Sequence, residues 1–104
     1  MKNKNILKQK IIADLKAINP QKIILFGSLK TGKFQKNRSD IDLLIIKNTN
    51  KKLADRYSEA RLSLTLNLPF DIFVLTNEEY QEKLSSSFFF REIAEKGEVI
   101  YENQ

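Results

Sequence analysis

The chain contains no cysteine, no histidine and no tryptophan, and only two prolines and three glycines. Without cysteine it can build no disulfide scaffold, no thiolate metal site and no cysteine nucleophile. Without histidine it can run no His-based triad and no His general base, and it can hold no His-ligated zinc. Long hydrophobic runs are missing too. The run Ile41 to Ile46 is broken by Asp42, and nothing approaches the ~20 apolar residues of a membrane span. The N-terminus, Met1-Lys2-Asn3-Lys4-Asn5, is basic, but no apolar stretch with a small-residue cleavage site follows it. The expectation is a cytoplasmic protein without a signal peptide and without a membrane partner.

What is present suits a small globular unit. The 104 residues are 41% hydrophobic and 30% charged, which predicts a single domain over 1–104. The net charge is +5, carried by 14 Lys against 4 Arg. A basic balance fits an anionic ligand such as a nucleotide, a nucleic acid or an acidic partner. Taken alone it fits plain solubility better, because the lysines are scattered rather than striped.

Few breakers punctuate the chain, so each one is informative. Leu7, Ile11, Leu15 and Ile18 recur at helical spacing before Pro20, which predicts an amphipathic helix over about 5–18. Lys22 to Phe26 reads as a buried strand between Pro20 and Gly27, and Asp40 to Ile46 as a second strand. Between them lies a polar loop, Leu29 to Ser39. Leu53, Tyr57, Ala60 and Leu64 predict the buried face of a helix over about 50–67. Phe70 to Leu75 is a third strand. Thr76-Asn77-Glu78-Glu79 is a helix start, for a helix running to about Leu84. A last helix runs from about Ser86 to Lys96 and stops at Gly97, and Glu98 to Tyr101 forms a final edge strand. The order predicts an α/β fold with a small mixed β-sheet flanked by helices. Strands two and three are joined by a helical crossover and should be parallel; strands one and two should be antiparallel neighbours.

Three acids interrupt strands that otherwise read as core. Asp40 and Asp42 lie two apart, so in a strand both carboxylates point to one face. Asp71 sits near the start of the third strand. If strands two and three are parallel neighbours, ~4.8 Å apart, Asp71 adjoins the pair. Gly27-Ser28, at the end of the first strand, meets the same rim. Crowded carboxylates resist ionising together, and a hard divalent cation removes the conflict. Oxygen-only ligands favour Mg²⁺ or Mn²⁺ over zinc. Gly27 lets backbone approach a phosphate, and Ser28 can donate from its hydroxyl or cap a short helical turn. The competing account is structural. Gly27-Ser28 is also an ordinary turn, Ser39-Asp40 is also turn chemistry, and Asp42 and Asp71 could be salt-bridged to Lys22 or Arg38.

Taken together, these residues resemble the nucleotidyltransferases of the DNA polymerase beta superfamily, in their minimal form. The resemblance runs through Phe26-Gly27-Ser28-Leu29-Lys30-Thr31-Gly32, Ser39-Asp40-Ile41-Asp42-Leu43-Leu44-Ile45 and Phe70-Asp71-Ile72. It extends to Ile93, Gly97 and Val99-Ile100-Tyr101 at the end. The family pattern is a Gly-Ser, a glycine four residues after the serine (here Gly32), an Asp-x-Asp and a later strand aspartate. The resemblance implies that Asp40, Asp42 and Asp71 hold Mg²⁺, with two ions expected, and that Gly27 and Ser28 hold the triphosphate of ATP. It implies that Asp71 also deprotonates the attacking hydroxyl. Nucleoside monophosphate would then be transferred and pyrophosphate released. Two departures stand out. Eleven residues separate Ser28 from Asp40, one more than is common in the family, and Leu29 and Lys30 replace the usual residues after the serine. Lys30, Lys33 and Lys36 are the candidates for a cationic grip on phosphate.

Minimal proteins of this type resemble the antitoxin half of toxin–antitoxin pairs whose partner is an all-helical HEPN ribonuclease. The resemblance therefore implies AMP transfer to a tyrosine of such a partner, within a homo- or hetero-oligomer. A second expectation is a non-catalytic module that neutralises the partner by contact. A third, a basic nucleic-acid-binding domain, is disfavoured because no strip of interleaved aromatic and basic residues is evident. Phe88-Phe89-Phe90 cannot share one helix face, since consecutive residues turn ~100° apart. Phe90 aligns with Ile93, which leaves Phe88 for a partner or a neighbouring helix.

Overall fold

The computed structural model describes residues 2–27 and 40–103. The first helix, α1, spans Lys2–Leu15 and tightens into a 3₁₀ turn at Lys16–Ile18. It stops at Asn19, whose φ of 55° is left-handed and whose N–H donates to the Lys16 carbonyl. Asparagine tolerates that conformation better than most residues, and Pro20 prevents continuation. Then follow β1 (Lys22–Phe26), β2 (Ile41–Ile46), α2 (Leu53–Ser63), β3 (Phe70–Leu75), α3 (Asn77–Ser86), α4 (Phe88–Lys96) and β4 (Glu98–Glu102). The predicted loop from Leu29 to Ser39, and with it Ser28, Gly32, Lys30, Lys33, Lys36 and Arg38, lies outside the described residues.

The sheet order is β3-β2-β1-β4. β1 runs antiparallel to both β2 and β4, and β2 runs parallel to β3 across the α2 crossover. The expected α/β fold with a mixed sheet is therefore what the chain adopts. β4 is the edge strand that its short, charge-flanked sequence predicts.

Helices cover both faces. Ile11, Leu15 and Ile18 pack with Ile23, Leu25, Ile41, Leu43, Ile45, Ile72 and Val74, together with Ala60 and Leu64 at the end of α2. On the other face Ile24, Leu44, Ile46 and Leu75 pack with Tyr80, Phe90 and Ile93 of α3 and α4. Burial on both faces explains why the strands read as nearly continuous Ile/Leu runs. It also fixes direction by parity. In β2 the odd residues face α1 and α2, so Asp42 shares the α3/α4 face with Leu44 and Ile46. In β3 the parity is reversed, and Asp71 falls on the same face as Phe73 and Leu75.

The α2 face differs from expectation. Ala60 and Leu64 are buried, but Leu53 is 64% exposed and Tyr57 43%; Arg56 is buried in their place. The cause is a polar joint. Arg56 Nη1 and Nη2 donate to the two carboxylate oxygens of Glu79 at 2.6 and 3.2 Å. Its Nε donates to the Lys51 carbonyl at 2.7 Å, and Nη1 also donates to the Val74 carbonyl at 3.3 Å. A buried guanidinium is tolerable only when its donors are met in this way. Glu79 is at the same time the third residue of a capping box: the Thr76 hydroxyl accepts from the Glu79 N–H, and the Glu79 carboxylate accepts from the Thr76 N–H. One ion pair thus ties α2, β3 and the start of α3.

Candidate active site at the sheet rim

The end of β1 and the beginnings of β2 and β3 form one rim. Backbone pairing sets Asp42 opposite Asp71 on one side and opposite Phe26 on the other. Asp40 lies just ahead of β2 with the same parity as Asp42. Asp40 and Asp71 are exposed, and Asp42 is half-buried. Gly27 follows β1 directly, with φ at +78°. A Cβ built on it would overlap the Asp42 carboxylate oxygen and lie 2.9 Å from its Cγ. Only glycine meets both the positive φ and this approach. The backbone of Gly27 therefore lies directly against the Asp42 carboxylate. Ser28, the other residue expected here, is outside the described residues.

The electrostatics follow from the crowding. Asp42 is pushed up from 3.8 to about 6, first by burial, then by the negative charge of Asp71 and then by that of Asp40. Among the described residues, none of the three carboxylates has an ion-pair partner. Lys22, which with Arg38 is the alternative partner that the sequence offers for Asp42 and Asp71, instead approaches Glu102 at 3.6 Å. It pairs with Ile46 at the opposite end of the strands, so it cannot serve the rim.

This donor set suits a hard divalent cation: carboxylate oxygens only, with mutual repulsion that a cation would relieve. Among the described residues, no three acids are already drawn together as a finished metal cage. Binding an ion would therefore have to gather Asp40, Asp42 and Asp71, and substrate oxygens and water would complete its shell.

Beside the acids stands an aromatic wall that sequence reasoning missed. The Phe26 and Phe73 rings stack at 6.4 Å, and Phe89 meets them edge-on at 6.1 and 5.8 Å. Phe90 anchors the group from below, 5.8 Å from Phe73 and 5.2 Å from Phe89. The start of α4 is held by Ser87, whose hydroxyl accepts from the Phe90 N–H. The available signal was parity: Phe26 and Phe73 share the face of Asp42 and Asp71. Phe88, expected to point away from Ile93, is 70% exposed.

The sequence profile of the polymerase beta nucleotidyltransferases matches residues 4–104. No curated protein matches the chain. Among solved structures, a toxin–antitoxin complex crystallised with AMP-PNP aligns with a TM-score of 0.60 at 23% identity, over 93% of this chain and 74% of that one. A candidate nucleotidyltransferase from Sulfolobus solfataricus aligns with a TM-score of 0.53 at 22% identity, over 76% of this chain and 71% of that one. At such identities the likeness speaks for the fold. Among the described residues, no helix is long and apolar enough to cross a membrane.

Proposed function

The chain belongs to the polymerase beta nucleotidyltransferase family, and from that premise we propose that it is a minimal nucleotidyltransferase domain over 1–104 that moves AMP from ATP to a hydroxyl of a protein partner. The observation that carries the reading is the in-register pair Asp42–Asp71, on one sheet face, with the Gly27 backbone against Asp42.

In this reading Asp40, Asp42 and Asp71 hold Mg²⁺, two ions when substrate is bound. Bound Mg²⁺ supplies charge neutralisation at the phosphates and aligns the displacement. Gly27 and Ser28 receive the triphosphate tail, where glycine permits close backbone approach and serine donates. The acceptor oxygen attacks the α-phosphorus in line as the bond to the bridging oxygen breaks. Pyrophosphate leaves with that oxygen, and the acceptor proton passes to the Asp71 carboxylate. Positioning supplies much of the rate, because both reactants are held at one rim.

We place the acceptor on a HEPN ribonuclease toxin, as a tyrosine hydroxyl, with this chain as antitoxin in a cytoplasmic complex. Support comes from the fold-level likeness to a toxin–antitoxin complex crystallised with an ATP analogue, and from the 70% exposure of Phe88. That exposed ring also favours a second reading, neutralisation by contact alone.

The test uses ATP labelled at the α-phosphate, Mg²⁺, the full chain and the HEPN protein. Label should appear on the partner, disappear in Asp42→Asn and be absent with γ-labelled ATP. Partner inhibition that persists unchanged in Asp42→Asn, without label transfer, would establish the contact reading instead.

A further inference from the structure

An open cleft of about 630 Å³ lies between α4 and the end of β1, bordered by Phe26, Gly27, Phe89, Glu92, Ile93 and Gly97. Its volume is within the range of small-molecule sites, roughly 300–1,000 Å³. We propose that this cleft takes the base and ribose of the nucleotide, with Phe89 as the stacking surface and Glu92 as the acceptor for an exocyclic amino group. The proposal rests on the nucleotidyltransferase reading and deepens it to substrate choice.

Three observations carry it. The first is continuity. Gly27 borders the cleft and lies against Asp42, so a phosphate tail at the Gly27 backbone leaves its nucleoside to fall into the cleft. The second is the wall. Phe89 is 48% exposed although it is a large apolar ring. Its position is fixed by Phe26, Phe73 and Phe90, with centroids 6.1, 5.8 and 5.2 Å away. A ring held open to solvent in this way is a preorganised stacking surface, which accepts any base by its π-face.

The third is charge. Glu92 and Glu95 border the cleft, and among the described residues the one cation that lines it, Lys96, is paired with Glu92 at 2.8 Å. Such a lining repels a phosphate and suits a neutral ring that carries N–H donors. The Glu92 carboxylate is half-buried and has acceptor capacity beyond its one lysine. The cleft floor is set by packing. A Cβ on Gly97 would come within 2.7 Å of Ile24 Cγ2 and 2.5 Å of the Ile93 carbonyl, so glycine is what lets the chain turn tightly beneath it.

The test measures binding calorimetrically to the full chain with Mg²⁺, using ATP, ITP and tripolyphosphate. The variants are Phe89→Ala, Phe89→Leu and Glu92→Ala, each checked by thermal melting. Phe89→Leu keeps apolar volume and guards against misfolding of the alanine variant. Both Phe89 variants should weaken ATP by about tenfold or more and leave tripolyphosphate unchanged. Glu92→Ala should reduce the preference for ATP over ITP, which has an oxo group in place of the amine. The proposal is overturned if folded Phe89→Leu binds ATP as wild type does, or if ATP and tripolyphosphate weaken alike. Label transfer with Phe89-independent ATP binding would remove the cleft proposal and leave the enzyme. Phe89-dependent ATP binding without label transfer would remove the enzyme and keep the cleft.

Discussion

Replacing Asp42 with Asn should stabilise the metal-free protein at pH 8 while abolishing nucleotidyl transfer. The Asp42 carboxyl titrates near 6 in the fold instead of 3.8, because burial and the charges of Asp71 and Asp40 disfavour its ionised form. The native state therefore holds this proton more tightly than the unfolded chain. The associated stability is complete below 3.8 and is lost as pH rises through about 6. A displacement of that size corresponds to about 3 kcal/mol at most. Solvent reaches Asp42, and screening reduces the expected cost to roughly 1–2 kcal/mol. Asparagine keeps the shape and carries no charge, so it escapes the cost. In EDTA, thermal unfolding followed by circular dichroism should place Asp42→Asn about 5–10 °C above wild type at pH 8. The gap should close below pH 4. Added Mg²⁺ should raise the wild-type midpoint and leave the variant nearly unmoved. A gap independent of pH, or a variant less stable than wild type at pH 8, would refute the crowding of charge at this rim.

Two further perturbations probe the scaffold. Gly27→Ala combines a positive φ with a Cβ that overlaps the Asp42 carboxylate. Urea denaturation should show a loss of about 1–3 kcal/mol, and label transfer should fall with it; a neutral substitution would contradict the close approach. Arg56→Met strands the Val74 and Lys51 carbonyls and frees the Glu79 carboxylate, and should cost roughly 3 kcal/mol in urea. The Arg56 hydrogen bond is the main reason that Glu79 titrates below its ordinary range. Its contribution is present above that range and is lost as pH falls through the lowered value, so the variant should flatten the acid limb of the stability curve. Parallel acid limbs in wild type and variant would count against the pairing.

Much of the architecture was legible because the strands are short, apolar and bounded by few breakers. Asp42 and Asp71 stood out because a carboxylate inside an Ile/Leu run costs free energy unless something repays it. The parallel pairing that sets them opposite each other followed from the length of the intervening helical segment. Other features were not legible. On α2, Leu53 and Tyr57 share the helical spacing of Ala60 and Leu64, so pattern alone placed them inside. The choice was made by Glu79, more than twenty positions downstream, which offers Arg56 a bidentate partner that no local pattern reveals. Phe89 posed the same difficulty. Three consecutive phenylalanines have no helical period, and which of them meets Phe26 and Phe73 depends on how α4 crosses the sheet.

The amino-acid order by itself determined the strands, the acids within them and the face each acid shares with its neighbours, because a side-chain period of two is a local property of extended backbone. Only the tertiary structure decided that the Gly27 backbone lies against Asp42, that Arg56 turns inward, and that an aromatic-walled cleft opens beside the rim. Those outcomes depend on contacts between residues far apart in the chain, where burial and charge pairing outweigh local preference.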